Sequence, residues 1–371
     1  MSRTLEILER LIGFDTVSAR SNLDLIDYVE DLLRGAGFAV TRIGDPEAAK
    51  AGLFARIGPE GAGVLLSAHS DVVPVEGQRW TRDPFRLGDE GGRLYGRGST
   101  DMKGFLAAML AMAEAAAARP LREPLKLSIS YDEEVGCLGM ARMIGALPQV
   151  LGRPRAAIVG EPTQMRVAIG HKGKQALRAV CLGEAGHSAL APRFVNALHG
   201  AAEVILGLRR IQAELAATGA RDRAYDIPYS TVHVGWMSGG TALNIVPDRA
   251  EILFEIRHLA AEAPEALVAR TRAMAAGIAG VGIEILNRYP GLDTDPQAEV
   301  VRLVRALTDD APATKVAFGT EAGFFAGLGI PTVVCGPGSM EGQGHKPDEY
   351  IDRDQLDACD RMLAALLGTL C

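Results

Sequence analysis

The chain has little cysteine and few aromatic residues. Its 371 residues include five cysteines and 5% aromatic residues. The cysteines are widely spaced and odd in number, and they form no Cys-x-x-Cys pair: Cys137, Cys181, Cys335, Cys359 and Cys371. This pattern argues against a disulfide scaffold or a thiolate zinc cage, and it is typical of a reducing compartment.

Long hydrophobic runs and an excess of basic residues are also missing. The longest apolar stretch, 105–118, is interrupted by Glu114 and is too short to span a bilayer. The first residues lack the apolar core and the cleavage site of a signal peptide. The net charge of −7 argues against a nucleic-acid partner, because binding phosphates requires a basic face. We therefore expect a cytoplasmic protein with neither membrane nor nucleic acid as a partner.

Short apolar segments and helical patterns alternate towards both ends of the chain. The strand candidates are 52–57, 63–69, 125–131, 156–160 and 331–335, and the helix candidates are 4–13, 22–36, 102–118, 136–146, 298–308 and 320–327. This alternation predicts an α/β fold with a mainly parallel sheet covered on both faces. In such sheets, functional groups gather at the carboxyl ends of the strands.

The middle of the chain follows a different order. Its segments read as strand, helix, strand, strand, helix and strand, at 174–182, 196–215, 230–236, 249–257, 263–278 and 281–287. This βαββαβ order is the split βαβ (ferredoxin-like) arrangement, which can fold as its own domain. We therefore predict a discontinuous catalytic domain, 1–173 and 288–371, into which a second domain, 174–287, is inserted.

Acidic residues and histidines stand where apolar runs stop, or in glycine-rich segments. They are His69, Asp71, Asp101, Glu133, Glu134, Glu161 and His345. Holding such groups together at buried strand ends is costly unless cations neutralise them. Carboxylate oxygens and imidazole nitrogens are ligands for hard or borderline divalent cations. The set therefore indicates a metal-dependent hydrolytic site.

Charge balance favours two cations in this site. Asp101, Glu134 and Glu161 together with one hydroxide carry four negative charges, which two divalent cations would cancel. His69 and His345 would complete the coordination as neutral imidazoles without changing that balance.

Glu133 and Asp71 are predicted to act beside the metals and not as their ligands. Amide hydrolysis needs a further carboxylate that carries a proton from water to the leaving nitrogen, and Glu133 is the candidate. In the His69-x-Asp71 segment both side chains share one face of an extended chain. Asp71 can then accept the second ring N–H of His69 and fix its tautomer.

Each of these residues, taken singly, also has an ordinary structural explanation. A lone histidine is more often structural, and adjacent glutamates such as Glu133-Glu134 usually form a solvated loop. Glu161 would simply end a strand, and Asp101 would be the N-cap of helix 102–118. The ordered combination of these residues favours the two-metal interpretation over a chance occurrence of unrelated surface residues.

These motifs resemble those of the M20 metallopeptidase/aminoacylase family, and the resemblance covers essentially the whole chain. The segments that carry it are 69–71, 96–104, 132–136, 160–163 and the late His345. The resemblance implies that Asp101 bridges two zinc (or cobalt) ions. One site would be completed by His69 and Glu161, and the other by Glu134 and His345. It also implies that Glu133 is the general base and that Asp71 is the aspartate that supports the first histidine ligand, His69.

The resemblance further implies that the inserted domain is a lid and dimerisation domain, so we expect a homodimer. His187 matches a histidine that reaches the partner subunit's site and stabilises the oxyanion. Asn244 and Arg257 match positions near the substrate, and an arginine suits a substrate carboxylate. The alternatives are turn positions for His187 and Asn244, and pairing of Arg257 with Glu255 or Glu251.

Three further segments narrow the implied activity within the family: 131–137, 239–247, and 336–339 followed by 345–349. They resemble members that deacetylate N2-acetyl-L-ornithine, which implies a small N-acyl amino acid as substrate and a role in arginine biosynthesis. Hydrolysis of other N-acyl amino acids or dipeptides stays open. Desuccinylation of succinyl-diaminopimelate is disfavoured because the Asn-Ala-Thr-Ile-His pattern is absent. A metal-free binding protein with this fold is disfavoured because every ligand position holds a competent residue.

Overall fold

The structure is a computed structural model that describes residues 2–309 and 311–371. Met1 and Asp310 fall within the predicted catalytic domain and lie outside the described residues. The chain divides into two compact units. The first comprises the chain up to Gly170, Leu292–Val316 and Thr320–Cys371, and the second comprises His171–Gly291 and Ala317–Gly319. The sequence predicted 174–287 for the inserted domain.

Strands and helices alternate along most of the described chain. The strands are β1 (Ala39–Gly44), β2 (Ala51–Ile57), β3 (Val64–His69), β4 (Gly88–Glu90), β5 (Arg93–Tyr95), β6 (Leu125–Ser130), β7 (Ala156–Val159), β8 (Ala168–His171), β9 (Gly173–Leu182), β10 (Thr231–Gly239), β11 (Arg249–His258), β12 (Val281–Tyr289), β13 (Leu292–Asp293), β14 (Thr314–Val316), β15 (Thr332–Val334) and β16 (Tyr350–Asp352). The α-helices are α1 (Arg3–Ile12), α2 (Leu23–Gly35), α3 (Gly104–Ala117), α4 (Leu138–Met143), α5 (Leu147–Val150), α6 (Ala197–Thr218), α7 (Pro264–Ala276), α8 (Glu299–Leu307), α9 (Ala322–Gly327) and α10 (Arg353–Leu370). Among the described residues, no helix combines the length and the apolar character needed to span a membrane.

The first unit is built on a large mixed sheet, which within the described residues has the order β1-β2-β6-β3-β7-β15-β8-β13, with β14 beside β8. Its centre, β6-β3-β7-β15, is parallel, whereas β1, β2 and β8 pair antiparallel with their neighbours. A second sheet of this unit has the order β16-β5-β4. The mainly parallel α/β fold predicted from the sequence is confirmed.

Both faces of the central sheet are covered, which explains why its strands are apolar throughout. All six residues of β3 are buried. Leu66 joins a core cluster with residues of α1, α2, α3 and α10, whereas its neighbour Leu65 joins a cluster with residues of α4 and α9. Successive side chains of a strand point to opposite faces, so each face needs its own apolar cover.

The second unit has the order β9-α6-β10-β11-α7-β12, which is the βαββαβ order predicted from the sequence. Its strands form an antiparallel sheet in the order β10-β11-β9-β12. Alternate residues of β9, including Leu177, Ala179 and Cys181, are buried in one cluster with residues of α6 and α7. The helices therefore cover one face of this sheet.

Candidate metal centre

Three neighbouring strand ends in the first unit carry predicted ligands. His69 is the last residue of β3, Glu134 follows β6, and Glu161 follows β7. Because β6, β3 and β7 are adjacent and parallel, their carboxyl ends lie at the same edge of the sheet. The fold therefore brings together side chains that are far apart in the sequence.

Asp101 and His345 reach the same place from irregular segments. Asp101 lies in the turn Ser99–Lys103 ahead of α3, and the Asp101–Met102 peptide bond is cis. The N-cap of α3 is Lys103, so the alternative that Asp101 caps this helix is wrong. His345 has a φ of 60°, in the left-handed region.

Asp101 lies between two imidazoles. Its Oδ1 is 3.1 Å from His69 Nε2, and its Oδ2 is 3.1 Å from His345 Nε2. Glu161 Oε1 is 3.8 Å from His69 Nε2, and Glu134 Oε2 is 3.1 Å from His345 Nε2. The Asp101 carboxylate is thus flanked by a His69–Glu161 side and a His345–Glu134 side.

The donor atoms are close enough for metal ions. Ligand atoms of His69, Asp101 and Glu134 all lie within 4.8 Å of one another, and so do those of His69, Glu133 and Glu161. Glu134 Oε1 is buried and has no hydrogen-bond partner in the described part of the chain, an arrangement that a bound cation would satisfy. The oxygen and nitrogen donors fit divalent cations such as Zn²⁺ or Co²⁺.

The carboxylates of this cluster crowd negative charge into a buried space. Burial, followed by the charge of Asp101, raises the pKa of Glu134 to about 7. The same two causes raise the pKa of Glu161 well above its usual range, and burial raises that of Glu133 likewise. Bound cations would favour the ionised carboxylates, because an opposite charge nearby stabilises them.

The position of Asp101 between two imidazoles favours the ionised form of its carboxylate, in contrast to the three glutamates. Hydrogen bonds to Asp101 and then to Glu134 raise the pKa of His345 to about 10. Burial opposes ionisation of Asp101, yet its hydrogen bonds with His345 and His69 outweigh burial and hold its pKa below the usual range. Asp101 is therefore the carboxylate of the cluster that stays ionised most readily.

Asp71 is close to His69, and its carboxylate also has partners beyond the one predicted. His69 Nδ1 is 2.9 Å from the main-chain oxygen of Asp71 and 3.6 Å from its Oδ1. The carboxylate accepts the backbone N–H groups of Glu133 at 3.1 Å and of Glu134 at 3.3 Å. The Ser18 hydroxyl donates to Asp71 Oδ2 at 2.7 Å. Asp71 therefore fixes the ring of His69 through its backbone and the segment of the two glutamates through its side chain.

Two buried acids near the candidate centre, Glu321 and Asp132, were not assigned a role from the sequence. Ser130 Oγ donates to Glu321 Oε1 at 2.5 Å, and burial raises the pKa of Glu321 to about 7. The other acid, Asp132, directly precedes Glu133 in the sequence. Lys50 Nζ donates to Asp132 Oδ1 at 2.5 Å. The sequence offered no signal for Glu321, since an acid at the start of the candidate helix 320–327 is expected on dipole grounds alone.

His187 and Asn244 lie together in the second unit. The backbone N–H of Ser188 donates to Asn244 O at 3.0 Å, and His187 forms an isolated bridge with Ile245. Both side chains are exposed, and Asn244 lies in a turn. His187 Nδ1 accepts the backbone N–H of Ala189 at 3.1 Å, which leaves Nε2 as the outward ring nitrogen.

Arg257, on β11, pairs with Glu255, which is one of the partners predicted as the alternative to substrate binding. Its Nε donates to Glu255 Oε1 at 2.9 Å, and its Nη1 donates to Tyr289 Oη at 2.7 Å. The guanidinium is therefore held within the sheet of the second unit.

Comparison with known proteins supports a single family. Residues 65–369 match Peptidase family M20/M25/M40. The chain is 35% identical to the acetylornithine deacetylase of Myxococcus xanthus, with 100% of the chain and 99% of the relative covered. It is 34% identical to the acetylornithine deacetylase of Pasteurella multocida (strain Pm70), with 99% and 98% covered.

Solved structures of this family share the fold at low sequence identity. The M20 family metallo-carboxypeptidase Sso-CP2 from Sulfolobus solfataricus has a TM-score of 0.82 and 19% identity, with 99% of both chains covered. The YXEP protein of Bacillus subtilis, described as a dinuclear metal-binding peptidase from the M20 family, has a TM-score of 0.69 and 17% identity, with 99% and 98% covered. The chain is a hydrolase that belongs to the M20/M25/M40 family of peptidases.

Proposed function

We propose that this protein is a two-metal amidohydrolase that converts N2-acetyl-L-ornithine to L-ornithine and acetate, a reaction of arginine biosynthesis. The observation that carries the proposal is the pair of imidazole–carboxylate groups on either side of Asp101, with Glu133 beside them. The choice of substrate is supported by the acetylornithine deacetylases that are about one-third identical over the full chain.

The proposed ligands are His69, Asp101, Glu134, Glu161 and His345. Asp101 would contact both ions, because its two oxygens face different imidazoles. We propose zinc, with cobalt as the alternative, since mixed imidazole and carboxylate sites accept both. When bound, the two ions polarise the amide carbonyl and promote ionisation of a water molecule.

Glu133 is the proposed general base. It would accept a proton from the attacking water and return it to the amine nitrogen as the amide C–N bond breaks. A base works best when its pKa is near the pH of the reaction, and burial moves the pKa of Glu133 upwards in that direction. Asp71 would keep this base in place, because its carboxylate holds the backbone N–H groups of Glu133 and Glu134.

The second unit is the proposed lid and dimerisation domain of a homodimer. His187 would stabilise the oxyanion in the partner subunit's site, and its outward Nε2 suits this role. Asn244, which lies beside His187, would contact the substrate. Arg257 would bind a substrate carboxylate only by exchanging its contacts with Glu255 and Tyr289.

Metal analysis tests the proposed centre. We expect the purified protein, supplied with zinc, to retain two equivalents of metal after gel filtration. A chelator should abolish hydrolysis, and zinc or cobalt should restore it. Fewer than one equivalent under metal-replete conditions would favour a metal-free binding protein.

A substrate panel tests the proposed reaction. We expect the highest kcat/KM for N2-acetyl-L-ornithine when it is compared with succinyl-diaminopimelate, acetylcitrulline and acetylmethionine. Release of acetate and of a free amine should be measured together, so that hydrolysis is distinguished from other losses of substrate. A clear preference for another member of the panel would replace this substrate and leave the metal centre intact.

A further inference from the structure

A buried carboxylate outside the proposed ligand set organises the turn that carries Asp101. Glu349 is 1% exposed. Its Oε1 accepts the backbone N–H groups of Thr100 at 3.0 Å and Asp101 at 3.2 Å, and its Oε2 accepts that of Gly98 at 3.1 Å. Arg97 Nη1 donates to the same Oε2 at 2.6 Å and neutralises the buried charge. Glu349, which follows His345 in the sequence, therefore fixes the conformation of this turn.

The same arginine continues this network to Gln78. Arg97 Nη2 donates to Gln78 Oε1 at 2.5 Å, and Trp80 Nε1 donates to the same oxygen at 3.0 Å. Arginine and the indole of tryptophan are donors only, so both require the amide oxygen of Gln78. The orientation of the amide is therefore fixed by chemistry, and its NH₂ group is directed elsewhere.

The NH₂ group of Gln78 contacts the backbone of His345, the second of the two predicted histidine ligands. Gln78 Nε2 donates to His345 O at 3.2 Å. His345 lies in a loop with a left-handed backbone, and its side chain is 43% exposed. By contrast, His69 is 1% exposed and is held by the ladder of β3. His345 thus depends more on added support than His69 does.

We propose that Gln78 is a positioning residue that sets His345 against Asp101 and thereby tunes the affinity of one of the two metal ions. This rests on the proposed two-metal function. The affected ion is the one on the His345–Glu134 side of Asp101, and the ion on the His69–Glu161 side depends little on Gln78. Hydrogen bonds that orient metal ligands commonly change metal affinity by about 10–100-fold when they are removed.

Gln78→Glu is the sharpest test of this role. The carboxylate keeps an acceptor for Arg97 and Trp80 but places an oxygen where Gln78 donated to His345 O. We expect the variant to release one zinc ion at a chelator concentration about 10–100-fold lower than the wild-type protein, with the other ion retained. Gln78→Ala should show the same selective loss. Gln297→Glu, which makes the same chemical change at an exposed position before α8, should bind both ions normally.

Zinc content during chelator competition is the readout, and the melting temperature of each metal-free variant reports on folding. If Gln78→Glu and Gln78→Ala both retain the two ions as the wild-type protein does, the positioning role of Gln78 is rejected. The proposed two-metal function is not rejected by that result. Equal weakening of both ions, or a loss that follows a lower melting temperature, would also reject the positioning role. A wild-type protein that binds fewer than two ions would reject the proposed function, and the role of Gln78 with it.

Discussion

Glu133 and Glu134 are adjacent and chemically identical, yet their carboxylates have different surroundings. Glu134 Oε2 is 3.1 Å from His345 Nε2, which directs it towards the His345 side of Asp101. Glu133 Oε1 instead accepts a hydrogen bond from the Cys137 thiol at 3.4 Å. The two side chains take these directions from the turn after β6, which Asp71 holds through the backbone N–H groups of both residues.

Replacing Glu133 with glutamine separates the role of the proposed base from that of the proposed metal ligands. An amide has nearly the same size as the carboxylate but cannot accept the proton from water. We expect Glu133→Gln to lower kcat by about 10²–10⁴-fold while the protein keeps its metal. Activity and zinc content should be measured on the same preparation, with the exposed Glu341→Gln as the control. A kcat near the wild-type value would remove Glu133 from the proposed mechanism.

We predict that part of the stability depends on pH through His171, which is not one of the proposed metal ligands. It is fully buried, and its Nε2 has no hydrogen-bond partner among the residues described by the structure. Burial lowers its pKa to about 4, although its Nδ1 is 3.1 Å from Lys172 O. In the unfolded chain a histidine titrates near 6.5, at roughly the ordinary value.

Between these two pKa values the unfolded chain binds a proton at His171 that the folded protein does not. The contribution to stability is therefore complete above about pH 6.5 and is lost as the pH falls towards 4, by at most about 1.4 kcal/mol per pH unit. We expect the wild-type protein to lose this stability relative to His171→Gln when urea unfolding of the metal-free proteins is compared at several pH values. His199→Gln, at an exposed position of α6, is the control, and its free energy of unfolding should vary with pH as that of the wild type does. Parallel curves for the wild type and His171→Gln would contradict this account.

The residues around Asp101 were found from the sequence because they follow apolar runs or glycine-rich segments. Gln78, Arg97 and Glu349 were not assigned a role from the sequence, although they belong to the same hydrogen-bond network. Arg97 and Glu349 are 252 positions apart and stand among polar residues, which is also the pattern of a solvated surface. Their burial depends on the tertiary fold, and no local pattern indicates it.

At the scale of elements, the sequence predicted the buried central strands well and the flanking ones poorly. Strands β3, β6 and β7 lie within one or two residues of the predicted segments. The strand β1 was missed because it lies at the edge of the sheet and its residues are largely exposed. The helix predicted at 136–146 is divided into α4 and a short turn before α5, and the amphipathic helix α10 was not predicted although its buried residues recur every three or four positions.

Gly160 shows how closely one of these elements is packed where it carries a predicted ligand. A Cβ atom at Gly160 would lie 2.0 Å from the ring of Phe105, which is buried on α3. Glycine is therefore required between β7 and Glu161. We expect Gly160→Ala to lower the free energy of unfolding by about 1–3 kcal/mol, because overpacking forces the strand end and the helix apart.

The same displacement should weaken metal binding, since Glu161 follows directly. Gly145→Ala is the matched control, because a Cβ atom there meets nothing within 4 Å. Its effect on stability should stay within about 0.5 kcal/mol, and its metal content should be normal. Urea unfolding of both metal-free variants and zinc content of the loaded proteins provide the comparison. Equal behaviour of the two alanine variants would show that the strand end tolerates the added methyl group.

At the scale of the whole molecule, the sequence indicated the type of each sheet but not the order of its strands. β6 pairs with both β2 and β3, and β15 pairs with β7, from which it is separated by the entire second unit. Hydrophobic pattern identifies a buried strand but says nothing about its neighbours. The TM-score of 0.82 with the M20 family metallo-carboxypeptidase Sso-CP2 shows that the two chains share this fold.

The proposed dimer makes a prediction that no single variant can test. If His187 acts in the partner subunit's site, Glu133→Gln and His187→Ala will each be nearly inactive as homodimers, for different reasons. In a mixed dimer, the subunit with His187→Ala keeps its own Glu133 and receives His187 from the other subunit. One of the two sites is then complete, whereas a His187 that acts within its own subunit leaves both sites defective.

Mixing the two inactive variants therefore distinguishes these arrangements. After equal amounts are unfolded and refolded together, about half of the dimers should be mixed, which restores about a quarter of the wild-type activity. Each variant refolded alone provides the background, and sedimentation at the assay concentration establishes the dimer. Without recovery in mixed dimers, His187 has no role across subunits; if the wild type is a fully active monomer, the proposed dimer itself is wrong. Recovery near a quarter requires a site built from two chains, because neither variant alone contains both groups.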